Sequence, residues 1–240
     1  MAKQQRQFVK YTFFKVAPAW RGLPAAEREA QKREVVDILE SFAGRMLVRT
    51  YSTVGTRGDC DLLVWTVSDR LEDFTELTSQ LFGSAMGGYL EIPHSYLAMT
   101  RRSQYIEKHV HEGQEGARLR VRPTGARYLF VYPFVKTRPW YRLPFEERQA
   151  IMDVHIEVGH KYPSVRINTA YSFGLDDQEF VVAFESDSPS DFLDLVMELR
   201  ETKSSEFTLR DTPIFTCIAM TAGDALDALA AAPAAVGAAS

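Results

Sequence analysis

Apolar and polar residues alternate along two stretches of the chain, Phe8 to Lys15 and Tyr128 to Lys136. Such alternation is typical of a β-strand with one buried face. A Leu-Pro pair follows each stretch and predicts the start of a helix, because proline fits the first helical turn. These helices are expected over Ala25 to Phe42 and Phe145 to His160. Each half of the chain therefore begins with a strand and a helix.

Two β-rich runs and a second helix come next in both halves. The runs are Arg45 to Ser52 and Asp61 to Val67 in the first half, and Val165 to Phe173 and Glu179 to Glu185 in the second. Turns that contain glycine and aspartate, Gly55 to Asp59 and Gly174 to Asp177, separate the runs. The candidate N-caps of the second helices are Ser68 or Asp69 and Asp187 or Ser188. With a final strand, the order β-α-β-β-α-β predicts a ferredoxin-like fold in each half.

The two halves are also similar in sequence. FVKYTFFKVAPAWRGLPAAER in the first half returns as YLFVYPFVKTRPWYRLPFEER in the second, and the spacing stays between 118 and 121 residues up to the last strand. With a one-residue gap, Tyr11 aligns with Tyr132 and Lys15 with Lys136, which leaves a purely structural role open for both pairs. A repeat of this length predicts a duplicated unit.

We expect an α+β fold of two tandem ferredoxin-like repeats, with antiparallel sheets that meet face to face or edge to edge. The predicted divisions are a first repeat at 1–100, a basic connector at 101–127, a second repeat at 128–222, and an Ala-rich tail at 223–240. The tail is expected to form a helical turn or two before it becomes disordered.

Composition and charge exclude several classes of protein. Hydrophobic residues make up 45% of the 240 residues and charged residues 25%, as in folded globular proteins. No apolar run approaches the roughly 20 residues of a membrane-spanning helix, and the first residues are polar, so we expect a cytoplasmic protein. A net charge of −4 disfavours nucleic acid as a partner. Cys60 and Cys217 form no CxxC motif, which disfavours a zinc site or a redox pair.

Basic residues accumulate in the connector. Seven of them lie between Arg101 and Arg127, against three glutamates, and Arg118 is among the seven. This excess fits either a solvated connector or a surface that binds an anion.

A histidine marks the clearest difference between the two halves. His155 in the second half aligns with Val35, and its helical neighbours Ile151, Met152 and Val158 make that face apolar. A neutral imidazole on an apolar wall is suited to bind the iron of a porphyrin. A buried histidine that bonds only a carbonyl is the alternative. No HExxH, GxSxG, P-loop or dinucleotide-binding motif is present, so the sequence favours no other catalytic class.

Several motifs around His155 carry a family resemblance. They are Tyr132-Pro133-Phe134-Val135-Lys136, then Trp140-Tyr141 and Leu143-Pro144 ahead of the helix, and SFGLDDQEF from Ser172 to Phe180. With these motifs the chain resembles the chlorite dismutase-like haem proteins, and within them the coproheme decarboxylases more than the chlorite-degrading enzymes. The resemblance covers nearly the whole chain. It implies two ferredoxin-like repeats of the dimeric α+β barrel type, assembled as a homopentamer.

The resemblance also implies a function, a cofactor and a site. The function would be the peroxide-dependent decarboxylation of Fe-coproporphyrin III to haem b, with haem b or Fe-coproporphyrin III as the cofactor. His155 would be the metal ligand. Tyr132 and Lys136 would be the catalytic residues, the tyrosine as a radical and the lysine as the partner of a propionate. Arg118 would hold a further propionate. The full set of cofactor-binding residues is Arg118, Tyr132, Pro133, Phe134, Val135, Lys136, Trp140, His155 and Ile167.

The chain departs from the family pattern at two positions. Ile167 stands where chlorite dismutases carry a distal arginine and many decarboxylases a glutamine. An aliphatic side chain stabilises no oxyanion, so chlorite dismutation is not expected. Pro213 stands where the family has a serine on the propionate side. A weak haem-dependent peroxidase and a non-catalytic haem- or porphyrin-binding protein therefore stay open as alternatives.

Overall fold

The computed structural model describes residues 5–105 and 119–230. The strands are β1 (Phe8–Val16), β2 (Leu47–Ser52), β3 (Leu62–Ser68), β4 (Leu90–Met99), β5 (Tyr128–Lys136), β6 (Arg166–Tyr171), β7 (Phe180–Ser186), β8 (Thr208–Arg210) and β9 (Phe215–Ala219). The helices are α1 (Pro18–Arg21), α2 (Ala25–Ser41), α3 (Glu72–Gly83), α4 (Arg138–Arg142), α5 (Phe145–His160), α6 (Pro189–Glu201) and α7 (Ala222–Asp227). No helix in these ranges is both long enough and apolar enough to cross a membrane.

The strands of the described residues form one antiparallel sheet that closes on itself. Their order is β7-β6-β4-β1-β3-β2-β9-β5-β8, and β5 also pairs with β7, which completes a barrel with β8 at its edge. The first half contributes β4-β1-β3-β2 and the second half contributes β9-β5-β7-β6 in the same relative order. The halves meet edge to edge, through β2 with β9 and β4 with β6. The predicted α+β fold of two ferredoxin-like repeats is confirmed, whereas the domain boundaries stay predictions.

Alternation along the strands gives the barrel an apolar interior and two apolar outer faces. Inside, side chains from both halves, including Tyr11 and Trp65, form one buried cluster. Outside, Phe14 belongs to a cluster that includes residues of α2 and α3 in the first half. On the outer face of the second half, Tyr132 belongs to a cluster that includes Val158 of α5 and residues of α6. Tyr132 and Tyr11 therefore lie on opposite sides of the sheet.

The C-terminal helix α7 covers the outer face of the first half. Leu226 of α7 and Leu229, which follows the helix, are buried in the same cluster as Val35 of α2. An ion pair of 2.7 Å joins Lys32 Nζ on α2 to Asp227 Oδ1 on α7. This helix confirms the expected helical start of the tail, and residues 231–240 lie outside the described residues. Among the described elements, no helix lies against α5 and β6 in the way that α7 lies against α2 and β2.

One helix start was predicted correctly and one was wrong. In the second half, the Ser188 hydroxyl accepts a hydrogen bond of 3.3 Å from the amide of Asp191 and caps α6 as expected. In the first half, α3 begins only at Glu72, and no side chain caps it. The Ser68 hydroxyl instead bonds the carboxylate of Asp73 and accepts from the amide of Arg70, so it stabilises the turn before the helix.

The strand registers correct the repeat alignment by one residue. Phe8 opens β1 opposite the last residue of β3, and Tyr128 opens β5 opposite the last residue of β7. These two residues therefore correspond, and the same spacing of 120 residues continues without a gap into α2 and α5. The gap expected from the sequence was wrong. The corrected pairs are Thr12 with Tyr132, Val16 with Lys136, and Val35 with His155.

Candidate functional site

His155 lies on α5, and the residue as a whole is half-buried. Its Nδ1 atom is 3.1 Å from the hydroxyl oxygen of Ser204, which lies in a 3-10 turn over Lys203–Phe207. Burial and, secondly, the charge of Lys136 lower the pKa of His155 to about 4. The imidazole is therefore neutral at physiological pH. None of the described residues hydrogen-bonds its other ring nitrogen, Nε2.

Lys136 ends β5 as a buried cation, with 7% of its surface exposed. Its Nζ atom donates a hydrogen bond of 2.7 Å to the carbonyl oxygen of Ser204 and lies 4.6 Å from the centre of the Trp140 ring. Burial lowers the pKa of Lys136 to about 8, so most of the side chain is still charged at pH 7. No carboxylate of the described residues pairs with it. A buried ammonium without a counter-ion is typical of a site that receives an anionic ligand.

Tyr132 lies on the same face of β5, opposite Val182 of β7 and stacked on Phe184 at 6.0 Å between ring centres. Burial raises the pKa of Tyr132 well above its usual range, so the hydroxyl keeps its hydrogen. Two charged side chains, Arg200 and Asp211, act on this hydroxyl with opposite signs and form an ion pair with each other. Tyr132 therefore combines a protonated phenol with a nearby guanidinium.

The other predicted site residues divide into those on this face and those away from it. Ile167 lies opposite Phe184 on β6 and is 38% exposed, so its aliphatic side chain borders the cluster. Phe134 lies beside Lys136, with the ammonium 5.4 Å from its ring centre. Pro133 and Val135 alternate with these residues along β5, so the structure does not bring them to the cluster. Arg118 lies outside the described residues.

The corrected alignment makes the two halves an internal comparison. Tyr132, Lys136 and His155 replace Thr12, Val16 and Val35 of the first half. The same comparison places Ser204 opposite Met86 and Arg200 opposite Phe82. Tyr11 and Lys15 are not the counterparts of Tyr132 and Lys136. The first half therefore gives no reason to assign Tyr132 and Lys136 a purely structural role. The second half therefore gathers polar groups where the first half has mostly apolar ones.

Sequence reasoning missed Ser204 and Arg200. Both belong to the segment from α6 into the following turn, where the repeat is weakest in sequence. Their contacts reach back to Lys136, His155 and Asp211. What distinguishes Ser204 and Arg200 is that the first half has Met86 and Phe82 at the corresponding positions. This difference can be recognised only after the two halves have been aligned by structure.

Comparison with known proteins places this arrangement in a family. A family model described as Chlorite dismutase matches residues 28–220. The chain belongs to the chlorite dismutase family. A coproheme decarboxylase of Mycolicibacterium smegmatis is 29% identical over 217 residues, which cover 88% of each chain. A protein of Natronomonas pharaonis, provisionally named as heme-binding, is 29% identical over 79% of this chain, and the match spans only 35% of that longer protein.

A solved structure agrees with the family assignment at the level of the fold. The chlorite dismutase from Candidatus Nitrospira defluvii, solved in complex with imidazole, superposes with a TM-score of 0.83. The superposition covers 92% of this chain and 94% of that chain at 24% sequence identity. This chain and the chlorite dismutase from Candidatus Nitrospira defluvii therefore share the same closed barrel fold.

Proposed function

We propose that this member of the chlorite dismutase family binds an iron porphyrin on the outer face of its second half and decarboxylates Fe-coproporphyrin III to haem b with hydrogen peroxide. The observation that carries the proposal is the buried ammonium of Lys136, which has no carboxylate partner and lies next to the neutral imidazole of His155. The similarity to a coproheme decarboxylase supports the choice of reaction.

The residues present fit a porphyrin better than a bare metal ion. No group of three or more His, Cys, Asp or Glu side chains that could hold an ion occurs among the described residues. A porphyrin supplies four of the iron ligands itself, so a single imidazole is enough. His155 would supply that nitrogen from Nε2, and the aromatic rings of Phe134 and Phe184 offer apolar surface to a flat macrocycle. Lys136 would pair with one of its carboxylates.

Each conversion of a propionate to a vinyl group consumes one peroxide and one proton. The propionate loses one carbon-bound hydrogen and its carboxyl group as carbon dioxide, and the two electrons released reduce peroxide to two waters. A bound iron porphyrin would supply the redox chemistry that links this oxidation to the reduction of peroxide. Tyr132 would give up its hydroxyl hydrogen and take a hydrogen atom from the propionate. Lys136 would hold the carboxylate of that propionate against Tyr132, four residues earlier on the same face of β5.

Arginines would neutralise the remaining carboxylates of a substrate that carries four. Arg200 lies near the hydroxyl of Tyr132, where its guanidinium faces Asp211. Arg118 takes this role by family resemblance alone.

Ile167 favours a second candidate, which is a non-catalytic haem-binding protein. Its side chain borders the site but donates no hydrogen bond that would activate peroxide. The same feature argues against chlorite dismutation. A weak haem-dependent peroxidase is the third candidate: it would react with peroxide but would not decarboxylate the porphyrin.

The test begins with a titration of the purified protein with haem and with Fe-coproporphyrin III, followed by absorbance. His155→Ala should shift the Soret band and weaken binding. Peroxide should then convert the coproporphyrin to products with three and two propionates, which mass spectrometry resolves. Tyr132→Phe should still bind but not convert, whereas the matched control Tyr11→Phe, inside the barrel, should convert normally.

Three outcomes contradict the proposal in different ways. Binding that depends on His155 without loss of propionates favours the haem-binding candidate. Oxidation of an added electron donor without loss of propionates favours the peroxidase. A wild-type protein that binds neither porphyrin overturns the whole proposal.

A further inference from the structure

Among the described residues, Ser204 is the one that lies within hydrogen-bond distance of both the Lys136 ammonium and the neutral His155 imidazole. It lies in the turn between α6 and β8 and is 4% exposed. Its carbonyl oxygen accepts the hydrogen bond of 2.7 Å from Lys136 Nζ, and its hydroxyl oxygen is 3.1 Å from His155 Nδ1. The backbone of Ser204 thus holds the ammonium while its side chain holds the imidazole.

The first half shows that the fold does not need a hydroxyl at this position. The amide of Ala17 bonds the carbonyl of Tyr89 at 2.9 Å, and the amide of Thr137 bonds the carbonyl of Phe207 at 2.8 Å, so the two turns correspond. Ahead of these turns, the hydroxyls of Ser84 and Thr202 each bond the carbonyl three residues earlier. Between these fixed points, Ser204 corresponds to Met86, which is fully buried.

We propose that Ser204 is a positioning residue that selects the tautomer of His155. A neutral imidazole carries one hydrogen, on either Nδ1 or Nε2. If Nδ1 carries it and donates to the Ser204 hydroxyl oxygen, Nε2 presents a lone pair to iron. If the hydroxyl donated to Nδ1 instead, Nε2 would carry the hydrogen and bind no metal. The functional role of this tautomer rests on the proposed porphyrin binding. The tautomer itself can be observed in the protein without porphyrin.

The hydroxyl also sets how strongly His155 donates to a metal. A carboxylate acceptor at Nδ1 would draw the imidazole toward an anionic character and lower the reduction potential of the iron, whereas a neutral hydroxyl does so only weakly. Partners of this kind typically change metal affinity by 10- to 100-fold when they are removed. Ser204 therefore favours a neutral ligand that binds iron moderately.

The first experiment reads the tautomer in the protein without porphyrin, by nitrogen NMR of its labelled histidines, with His155→Ala to assign the signal. Wild type and Ser204→Thr should show the hydrogen on Nδ1, and Ser204→Ala should show a mixture or the other tautomer. Ser84→Ala, which removes a buried hydroxyl from the first half, should leave the His155 signal unchanged. Hydrogen on Nε2 in the wild type would overturn the inference, whether or not any porphyrin binds.

The second experiment uses the haem-loaded protein. Ser204→Ala should weaken haem binding by about tenfold, with rescue by Ser204→Thr, and Ser204→Asp should lower the reduction potential and raise the iron–histidine stretching frequency. Equal affinities, potentials and frequencies in all variants would refute the role of Ser204. A wild type that binds no haem, but shows the expected tautomer shift, would refute the proposed function and leave the positioning of His155 supported.

Discussion

Replacing Lys136 with methionine should stabilise the protein in the absence of a ligand. The ammonium is buried beside Trp140 and has no acidic partner among the described residues. Methionine has a similar length and suits the aromatic surroundings, so it removes the charge without opening a large cavity. A residue that lowers the stability of the free protein is typical of a site adapted to a ligand.

The size of the effect follows from the pKa of Lys136. Burial lowers it from 10.5 to about 8. At about 1.4 kcal/mol per unit, the charged form costs about 3 kcal/mol at pH 7. The hydrogen bond to the Ser204 carbonyl offsets about 1.5 kcal/mol of this, and methionine loses it. The net gain in the free energy of unfolding is therefore about 1–2 kcal/mol at pH 7.

The gain should vanish at high pH. Between pH 8 and pH 10.5 the unfolded chain binds a proton at this lysine more readily than the folded chain does. Wild-type stability therefore rises with pH across this window, whereas Lys136→Met lacks the rise. By pH 10 the cost of the charge has fallen to below about 1 kcal/mol, so the variant should be no more stable than the wild type.

Urea unfolding at pH 7 and pH 10, followed by circular dichroism, measures both differences. Lys15→Met is the matched control, because Lys15 forms an ion pair of 2.9 Å with Asp61 and should give no gain. A Lys136→Met variant that is less stable than wild type at pH 7, or whose difference from it does not change with pH, would refute the reasoning. The same variant should bind Fe-coproporphyrin III at least about tenfold more weakly, since it loses a charge-assisted hydrogen bond.

Two further predictions concern the cover of the first half and the border of the site. Leu226→Ala should lower the free energy of unfolding by about 2–5 kcal/mol, because Leu226 is 1% exposed in the cluster under α7; a change below about 1 kcal/mol in urea unfolding would show that α7 does not seal this face. Ile167→Gln should raise the initial rate of peroxide-dependent turnover of the porphyrin-loaded protein by about tenfold, because an amide donates a hydrogen bond that the aliphatic side chain does not. Stopped-flow absorbance measures this rate, and an unchanged rate would contradict the importance of this position.

Most of the fold was readable from the sequence because its signals are local. Alternation predicted β1 and β5, and Leu-Pro pairs predicted α2 and α5. The repeat alignment failed at one place for a physical reason. Matching Tyr11 to Tyr132 maximises identity, but side chains alternate between the two faces of a strand, so a slip of one residue exchanges the interior of the barrel for its outer face. Only the strand registers detect that exchange.

The parts that the sequence did not predict depend on contacts between distant segments. Lys32 and Asp227 are 195 residues apart, and no local sequence pattern predicts that α7 packs against α2. Ser204 likewise could not be assigned to the site from the sequence, because only its contacts with Lys136 and His155 place it there. His155 was identifiable earlier because it interrupts an apolar helix face, which is itself a local pattern.

The duplication explains how the chain tolerates such a costly site. Burying the Lys136 ammonium is unfavourable without a ligand, as the lowered pKa of this lysine indicates. The first half carries smaller or apolar residues at the positions of Lys136, His155 and Tyr132 and adds α7 as a cover. Because both halves share one closed sheet and one interior cluster, they are expected to unfold together, and the stability of the first half supports the second. One repeat can therefore keep an incompletely satisfied polar cluster for a ligand while the other maintains the barrel.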